Sequence, residues 1–211
     1  TVVNGTSGAG DWRKQEARTV KAFDHPNIGR WKTWGRLPWG RFYLVSEFVE
    51  GEGLTAYTAG AKRMPVRQAV ECTIQLLAAL AAIHPNVDRI DSLRAKMDVG
   101  DISEENYEEW NRLQATGWYH RDIKPGNLML TGDTVKLVDF NIAALATQAN
   151  KTFTGTPGYM LPDIGMMRWD TSFDLFAVGV VLYELVTGQH PYPNRVPDAE
   201  ASPTDPRTYV P

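Results

Sequence analysis

The sequence predicts an α+β fold, and three observations carry that reading. Residues 65–84 repeat apolar side chains at helical spacing, and residues 173–187 are apolar nearly all round. Two pairs of short runs rich in aliphatic and aromatic residues read as strands: residues 29–33 with 41–47, and 128–130 with 135–138. Between the helical runs lies a polar loop, residues 119–127, in which Pro125 and Gly126 exclude a regular helix. The chain has 211 residues, 43% hydrophobic and 22% charged, which suits one globular domain, or most of one, with a sizeable core.

Taken in order, residues 1–10 are rich in Gly, Ser, Thr and Asn and read as a loose end. Residues 11–23 read as a helix: Asp11 can cap it, and Ala17, Val20 and Phe23 recur at helical spacing. Residues 24–28 break it. The strand runs 29–33 and 41–47 are joined by a Gly/Pro-containing turn at residues 35–40. In residues 65–84, Val66, Ala69, Val70, Thr73, Ile74, Leu77, Leu80 and Ile83 form a wide apolar stripe, and Pro65 suits a first turn. Residues 85–116 carry two amphipathic patterns, Val87, Ile90, Leu93 and Met97, then Tyr107, Trp110 and Leu113. Ser103 can cap the second, with Glu104 and Glu105 favoured in its first turn. They read as a helical hairpin. A turn at residues 131–133 joins the second strand pair, which ends on Asp139, Phe140 and Asn141. Residues 142–156 are polar and small. Residues 173–187 are apolar nearly all round, as a helix buried on every side would be, and Gly188 stops them. Residues 189–211 are rich in Pro and show no clear helix.

A net charge of −3 gives no basic patch for nucleic acid. The single cysteine, Cys72, excludes an internal disulfide; it fits a reducing cytoplasm and reads as a small buried apolar residue. The apolar run 175–186 is interrupted by Glu184 and is too short to cross a bilayer, so no membrane segment is expected.

The polar loop packs Asp122, Lys124 and Asn127 into six positions, and the following hairpin ends on Asp139. Residues 155–163 (Gly-Thr-Pro-Gly-Tyr-Met-Leu-Pro-Asp) come next, and Asp174 stands near the start of the apolar helix. Four motifs in this order make the chain resemble a serine/threonine protein kinase of the bacterial, eukaryotic-like kind. The resemblance implies a two-lobed fold: residues 1–50 a partial small lobe and hinge, 51–193 a mainly helical large lobe, 194–211 a Pro-rich tail. It further implies transfer of the ATP γ-phosphate to Ser or Thr of a protein substrate, with Mg2+. Asp122 would accept or orient the hydroxyl proton, and Lys124 would neutralise the moving phosphoryl group. Asn127 and Asp139 would hold the metal. Glu47 and Val49 would bond adenine through their backbone, behind a small gatekeeper, Ser46. Leu128 would line the nucleotide site, and Glu16 would pair with a strand lysine. Lys124 and Thr156 favour Ser/Thr over Tyr, and Thr156 would bond Asp122. Arg121 would pair with a phosphorylated threonine, Thr152 or Thr154 ahead of Thr147. His120 would be structural, and Asp174 would hold the catalytic-loop backbone.

The chain departs from the family pattern in several places. Residues 85–116 interrupt the passage from the helix ending at His84 to the loop, so the hairpin is an insertion and a possible docking site for a partner. Asn141 stands for a Gly, and Asp163 for a Glu whose arginine partner would lie past Pro211. The glycine-rich loop and the strand lysine would lie before Thr1, so this piece alone is expected to have little activity. The alternative of another class is a pseudokinase or scaffold acting through protein binding; an aminoglycoside-type small-molecule kinase fits residues 155–163 less well.

Overall fold

The computed structural model describes residues 2–3, 24–36, 38, 42–58, 62–140, 143–145, 155–162, 169–197 and 202–210. The expected helix at 11–23 with Glu16 lies outside them, as do Asn141, Thr147, Thr152, Thr154 and Asp163. In chain order the elements are β1 (Val2–Val3), β2 (Trp31–Arg36), β3 (Phe42–Ser46), β4 (Glu52–Gly53), α1 (Val66–Ile83), α2 (Val87–Asp98), α3 (Glu104–Ala115), β5 (Trp118–Tyr119), β6 (Leu128–Thr131), β7 (Thr134–Leu137), β8 (Ala144–Leu145) and α4 (Thr171–Thr187). Helices and small antiparallel sheets together give the expected α+β class.

One sheet has the order β1-β3-β2, with Trp31 opposite Ser46 and Arg36 opposite Phe42. The loose end read at residues 1–10 is corrected at two positions: Val2 and Val3 pair with Tyr43 and Phe42. Two β-branched residues suit the open edge that β3 offers. A second sheet, β4-β6-β7, contains the hairpin, in which Leu128 faces Leu137 and Thr131 faces Thr134. The segment before β2 runs beside β7: Gly29 N–H donates to Leu137 O and Leu137 N–H to Asn27 O, both at 2.8 Å. The Asn27 amide donates to Val135 O and to Gln75 Oε1, each at 2.8 Å, and Gln75 Nε2 donates to Asp133 O at 2.7 Å. Asn27 and Gln75 thus join α1, the hairpin and the segment that leads into β2.

Helices α1 and α4 pack on each other, and α1 also packs on β7. Leu76, Leu80, Ile83 and Leu185 are almost wholly buried, each worth about 1.5–3 kcal/mol over exposure. Burial pushes the Cys72 thiol up, as its reading as a packing residue requires. The stripe expected on α1 is half wrong. Ala69, Leu80 and Ile83 face the core, but Val66, Val70, Ile74 and Leu77 are exposed, and Cys72, Leu76 and Ala79 take their place. The helix is apolar on both sides, so periodicity could not choose a face. By length and composition α1 passes for a membrane span, yet its Ala69–Ile83 side is built into the core. Helix α4 is buried along Phe173, Ala177, Val181 and Leu185, but Leu175 is exposed. Asp170 caps it, accepting from Ser172 N–H at 2.7 Å, and Gly188 ends it in the left-handed region.

The hairpin forms as expected. Ser103 accepts from Asn106 N–H at 3.3 Å, and Asn86 supplies a second cap, accepting from Arg89 N–H at 3.1 Å. Arg89 grips Glu109 with two hydrogen bonds, 3.0 and 2.6 Å, across α2 and α3, and Leu93 is fully buried. The two feet meet: Gly117, at φ 95, lies so close to Pro85 that a side-chain carbon there would come within 2.5 Å of the Pro85 nitrogen. Residues 202–210 also return to the core. Thr204 N–H donates to Pro191 O, and the Arg63 guanidinium bonds the Tyr209 carbonyl.

Candidate active site

The loop after β5 is built around one buried carboxylate. Asp174, on the first turn of α4, is 1% exposed. It accepts the backbone N–H of His120 and of Arg121, both at 2.8 Å. Arg121 sits in the left-handed region at φ 67, so the chain turns sharply there. This is the anchoring expected of Asp174. A third partner was not legible in sequence: His84 Nε2, at the end of α1, lies 2.8 Å from Asp174 Oδ2. The contact spans 90 positions, and no local pattern marks it. Burial alone would push the Asp174 carboxyl up. The His84 hydrogen bond and the backbone donor from His120 work against it, and the group is held below its ordinary value.

The turn Pro125–Asn127 then folds the loop back on itself. Asn127 Nδ2 donates to the Asp122 carbonyl at 2.7 Å and to Asp122 Oδ2 at 3.0 Å. Lys124 Nζ lies 2.7 Å from Asp122 Oδ2 and donates to Thr156 Oγ1 at 2.9 Å. Thr156 donates to Asp122 Oδ1 at 2.5 Å. Asp122, Lys124, Asn127 and Thr156, drawn from two distant segments, therefore form one cluster. Burial raises the Asp122 carboxyl, but bonds from Lys124 and Thr156, the Lys124 charge and the Asn127 amide overcome this and hold it low. The carboxylate is ionised at neutral pH and remains half-buried, as a proton acceptor needs.

The hairpin delivers Asp139 beside this cluster. Val138 N–H donates to the Asn127 carbonyl at 2.9 Å, directly after the Leu128–Leu137 pair. Asn127 and Asp139 thus flank the same end of the hairpin, Asp139 exposed with φ 65. Phe140 is buried, its ring 4.7 Å from His120 and 6.3 Å from Trp31 of β2. Leu128 is fully buried. Among the described residues no group of three or more His, Cys, Asp or Glu could cage a metal. The Asn127 side chain uses its nitrogen on Asp122, and its amide oxygen and the Asp139 carboxylate are hard donors at the same end of the hairpin. Two such donors fit Mg2+, which keeps waters and phosphate oxygens for its other positions.

Glu47 and Val49 follow β3 on the segment joining the two sheets. The Glu47 N–H donates to Arg30 O at 2.8 Å. Its carboxylate accepts from Lys136 Nζ at 2.5 Å and from Arg30 N–H at 3.1 Å. Burial opposes its charge, yet these partners hold its carboxyl below the usual range. Lys136 lies on β7, so the segment is tied to the strand that leads into Asp139.

His120 is fully buried, its Nδ1 3.3 Å from the Asp122 N–H, and burial pushes its pKa down. In the unfolded chain it takes up a proton below about pH 6.5; in the fold it stays neutral. The unfolded state then binds more protons, so stability falls as pH drops through about 6.5. Asp122 and Asp174, held low, add a further loss below about pH 4. Urea midpoints at pH 7.5 and 5.5 should differ in the wild type, and His120→Gln should flatten the difference. Equal slopes in both proteins would contradict the neutral, buried imidazole.

The protein kinase domain family matches residues 98–205, just over half of the chain. The chain is 31% identical over 204 residues to the serine/threonine-protein kinase pkn2 of Myxococcus xanthus, covering 90% of the chain and 21% of that protein. It is 31% identical over 190 residues to the serine/threonine-protein kinase PknA of Mycobacterium tuberculosis, covering 85% and 37%. With the serine/threonine-protein kinase WNK of Caenorhabditis elegans it shares 29% over 188 residues, covering 85% and 9%. The chain thus spans well under half the length of these relatives. The family's match runs through the Asp174-anchored loop, the Asn127–Asp139 hairpin end and the Thr156 contact, and this chain belongs to the protein kinase family.

Proposed function

We propose that this domain serves transfer of the ATP γ-phosphate to serine or threonine hydroxyls of a protein. The observation that carries the reading is the Asp122–Lys124–Thr156 cluster closed by the Asn127 amide. Asp122 takes the proton of the incoming hydroxyl as its oxygen bonds the γ-phosphorus, and the bond to ADP breaks. Lys124 offsets the charge of the moving phosphoryl group. Asn127 and Asp139 would hold Mg2+, which when bound neutralises the phosphate oxygens. Adenine would bond the backbone at Glu47 and Val49, beside Ser46 and over Leu128. Glu16 would orient a phosphate-binding lysine. Lys124 reaching Thr156 fills the space beside Asp122, which suits short Ser/Thr acceptors.

Asp139→Asn in the protein is expected to lower transfer by at least about 10²-fold and to raise the Mg2+ concentration needed for half-maximal rate. Transfer from labelled ATP, followed by phosphoamino-acid analysis, checks both this and the acceptor class. Phosphotyrosine alone, or an unchanged Mg2+ requirement in the variant, would sink the reading. Nucleotide-independent partner binding through α2 and α3 with no transfer would favour the scaffold alternative.

A further inference from the structure

Beyond α4 the chain doubles back over residues 155–162, and the contacts there are not used by the chemistry above. His190 Nε2 donates to the Gly158 carbonyl at 2.8 Å, while its Nδ1 accepts from Tyr192 N–H at 3.2 Å. Gly158 is pressed against this segment: a side-chain carbon there would lie 3.0 Å from the Arg195 carbonyl oxygen. Arg195 Nη2 donates to Glu184 Oε1 at 2.9 Å and to Tyr159 Oη at 3.1 Å. Tyr159 in turn donates to Glu184 Oε2 at 2.6 Å. Glu184 is 0% exposed, on α4. Burial, then the Glu184 carboxylate, push the Tyr159 phenol up, so it remains a donor at physiological pH.

Two further facts set this cluster apart from an ordinary surface pair. Asn194 and Arg195 both occupy the left-handed region, at φ 57 and 56, although neither is glycine. Such backbone persists where surrounding bonds over-determine it. The cluster also connects to the site by a short path. Tyr159 N–H donates to Thr156 O at 2.9 Å, and the Thr156 hydroxyl lies between Lys124 and Asp122.

We propose that Arg195 is a positioning residue: by binding Glu184 and Tyr159 it latches residues 155–162 onto α4 and so keeps the Thr156 hydroxyl against Asp122. Its effect on turnover rests on the kinase reading; the latch does not. A buried carboxylate without its cation would seek water, and the segment it shares with Tyr159 would open locally. Removing Arg195 therefore loosens the acceptor side of the site, while residues that face the nucleotide keep their places.

Hydrogen exchange of the intact protein tests the latch without catalysis. In Arg195→Gln the Tyr159 and Met160 amides, which close the turn onto Thr156 and Pro157, should exchange about tenfold faster or more. The Val135 and Leu137 amides should be unchanged. Arg195→Lys should restore most of the protection, because it keeps the charge. Tyr159→Phe, which keeps the ring and loses the donor, should show the same local acceleration, and it decides the matter should Arg195→Gln fail to fold. In transfer assays Arg195→Gln should lower kcat by about tenfold and leave the KM for ATP unchanged. Unchanged exchange at Tyr159 and Met160, or acceleration spread equally to Val135 and Leu137, would overturn the latch. Local acceleration with no transfer in any form of the protein would uphold the latch and remove the kinase reading. Transfer with unaltered exchange would do the reverse.

Discussion

Replacing Asp122 by Asn is expected to lower phosphoryl transfer by about 10²–10⁴-fold while ATP still binds. The substitution is close to isosteric. An Asn oxygen can still accept from Thr156, which now sits 2.5 Å from Oδ1, so the loop should keep its shape. What it loses is the charge that Lys124 faces at 2.7 Å and the capacity to take a proton. Because its partners hold the Asp122 carboxyl low, the wild-type group is ionised throughout the neutral range, and no compensating pH optimum should appear. Single-turnover transfer from labelled ATP gives the rate, and calorimetric titration gives nucleotide affinity. Autophosphorylation at the wild-type rate would sink the role of Asp122. A parallel loss of ATP affinity would show that the residue acts on binding.

Asp174→Ala should be the most destabilising single change in the site, at about 3–5 kcal/mol. The wild-type carboxylate is 1% exposed and serves two backbone N–H groups and His84. Alanine leaves both N–H groups buried without an acceptor, each costing about 1–3 kcal/mol, and opens a small cavity. It also frees the backbone that holds Arg121 at φ 67, so the His120–Asn127 loop should lose order along with stability. Asp174→Asn, with one good acceptor left, should fall between. Urea denaturation followed by tryptophan fluorescence measures the shift; a midpoint change worth less than about 1 kcal/mol for Asp174→Ala would refute the anchoring role.

Where the candidate residues fall was readable because they lie close together in the chain. Asp122, Lys124 and Asn127 lie within one loop, and the 131–133 turn sets Asp139 at the far end of a hairpin. A two-residue register with a short turn leaves few alternatives for where Asp139 ends up. The hairpin of α2 and α3 was legible for a similar reason: apolar spacing and a Ser103 cap act within a few residues. Other features resisted. The exposed Val70 and Ile74 belong to α1, which has apolar residues on both sides, and the exposed Leu175 to α4, which is apolar nearly all round; in neither does period give one direction. Val2 and Val3 gained a strand because β3 had an open edge, which no local pattern announces.

The sequence by itself determined the α+β class, the two long helices and the grouping of Asp122, Lys124 and Asn127 in one loop, since each follows from neighbours a few positions apart. Only the tertiary structure decided that His84 reaches Asp174, that Lys136 grips Glu47 and that Arg195 covers Glu184. These are meetings of polar groups 90, 89 and 11 positions apart. Charges removed from water must find partners wherever the packed core brings them, and that address is written in three dimensions.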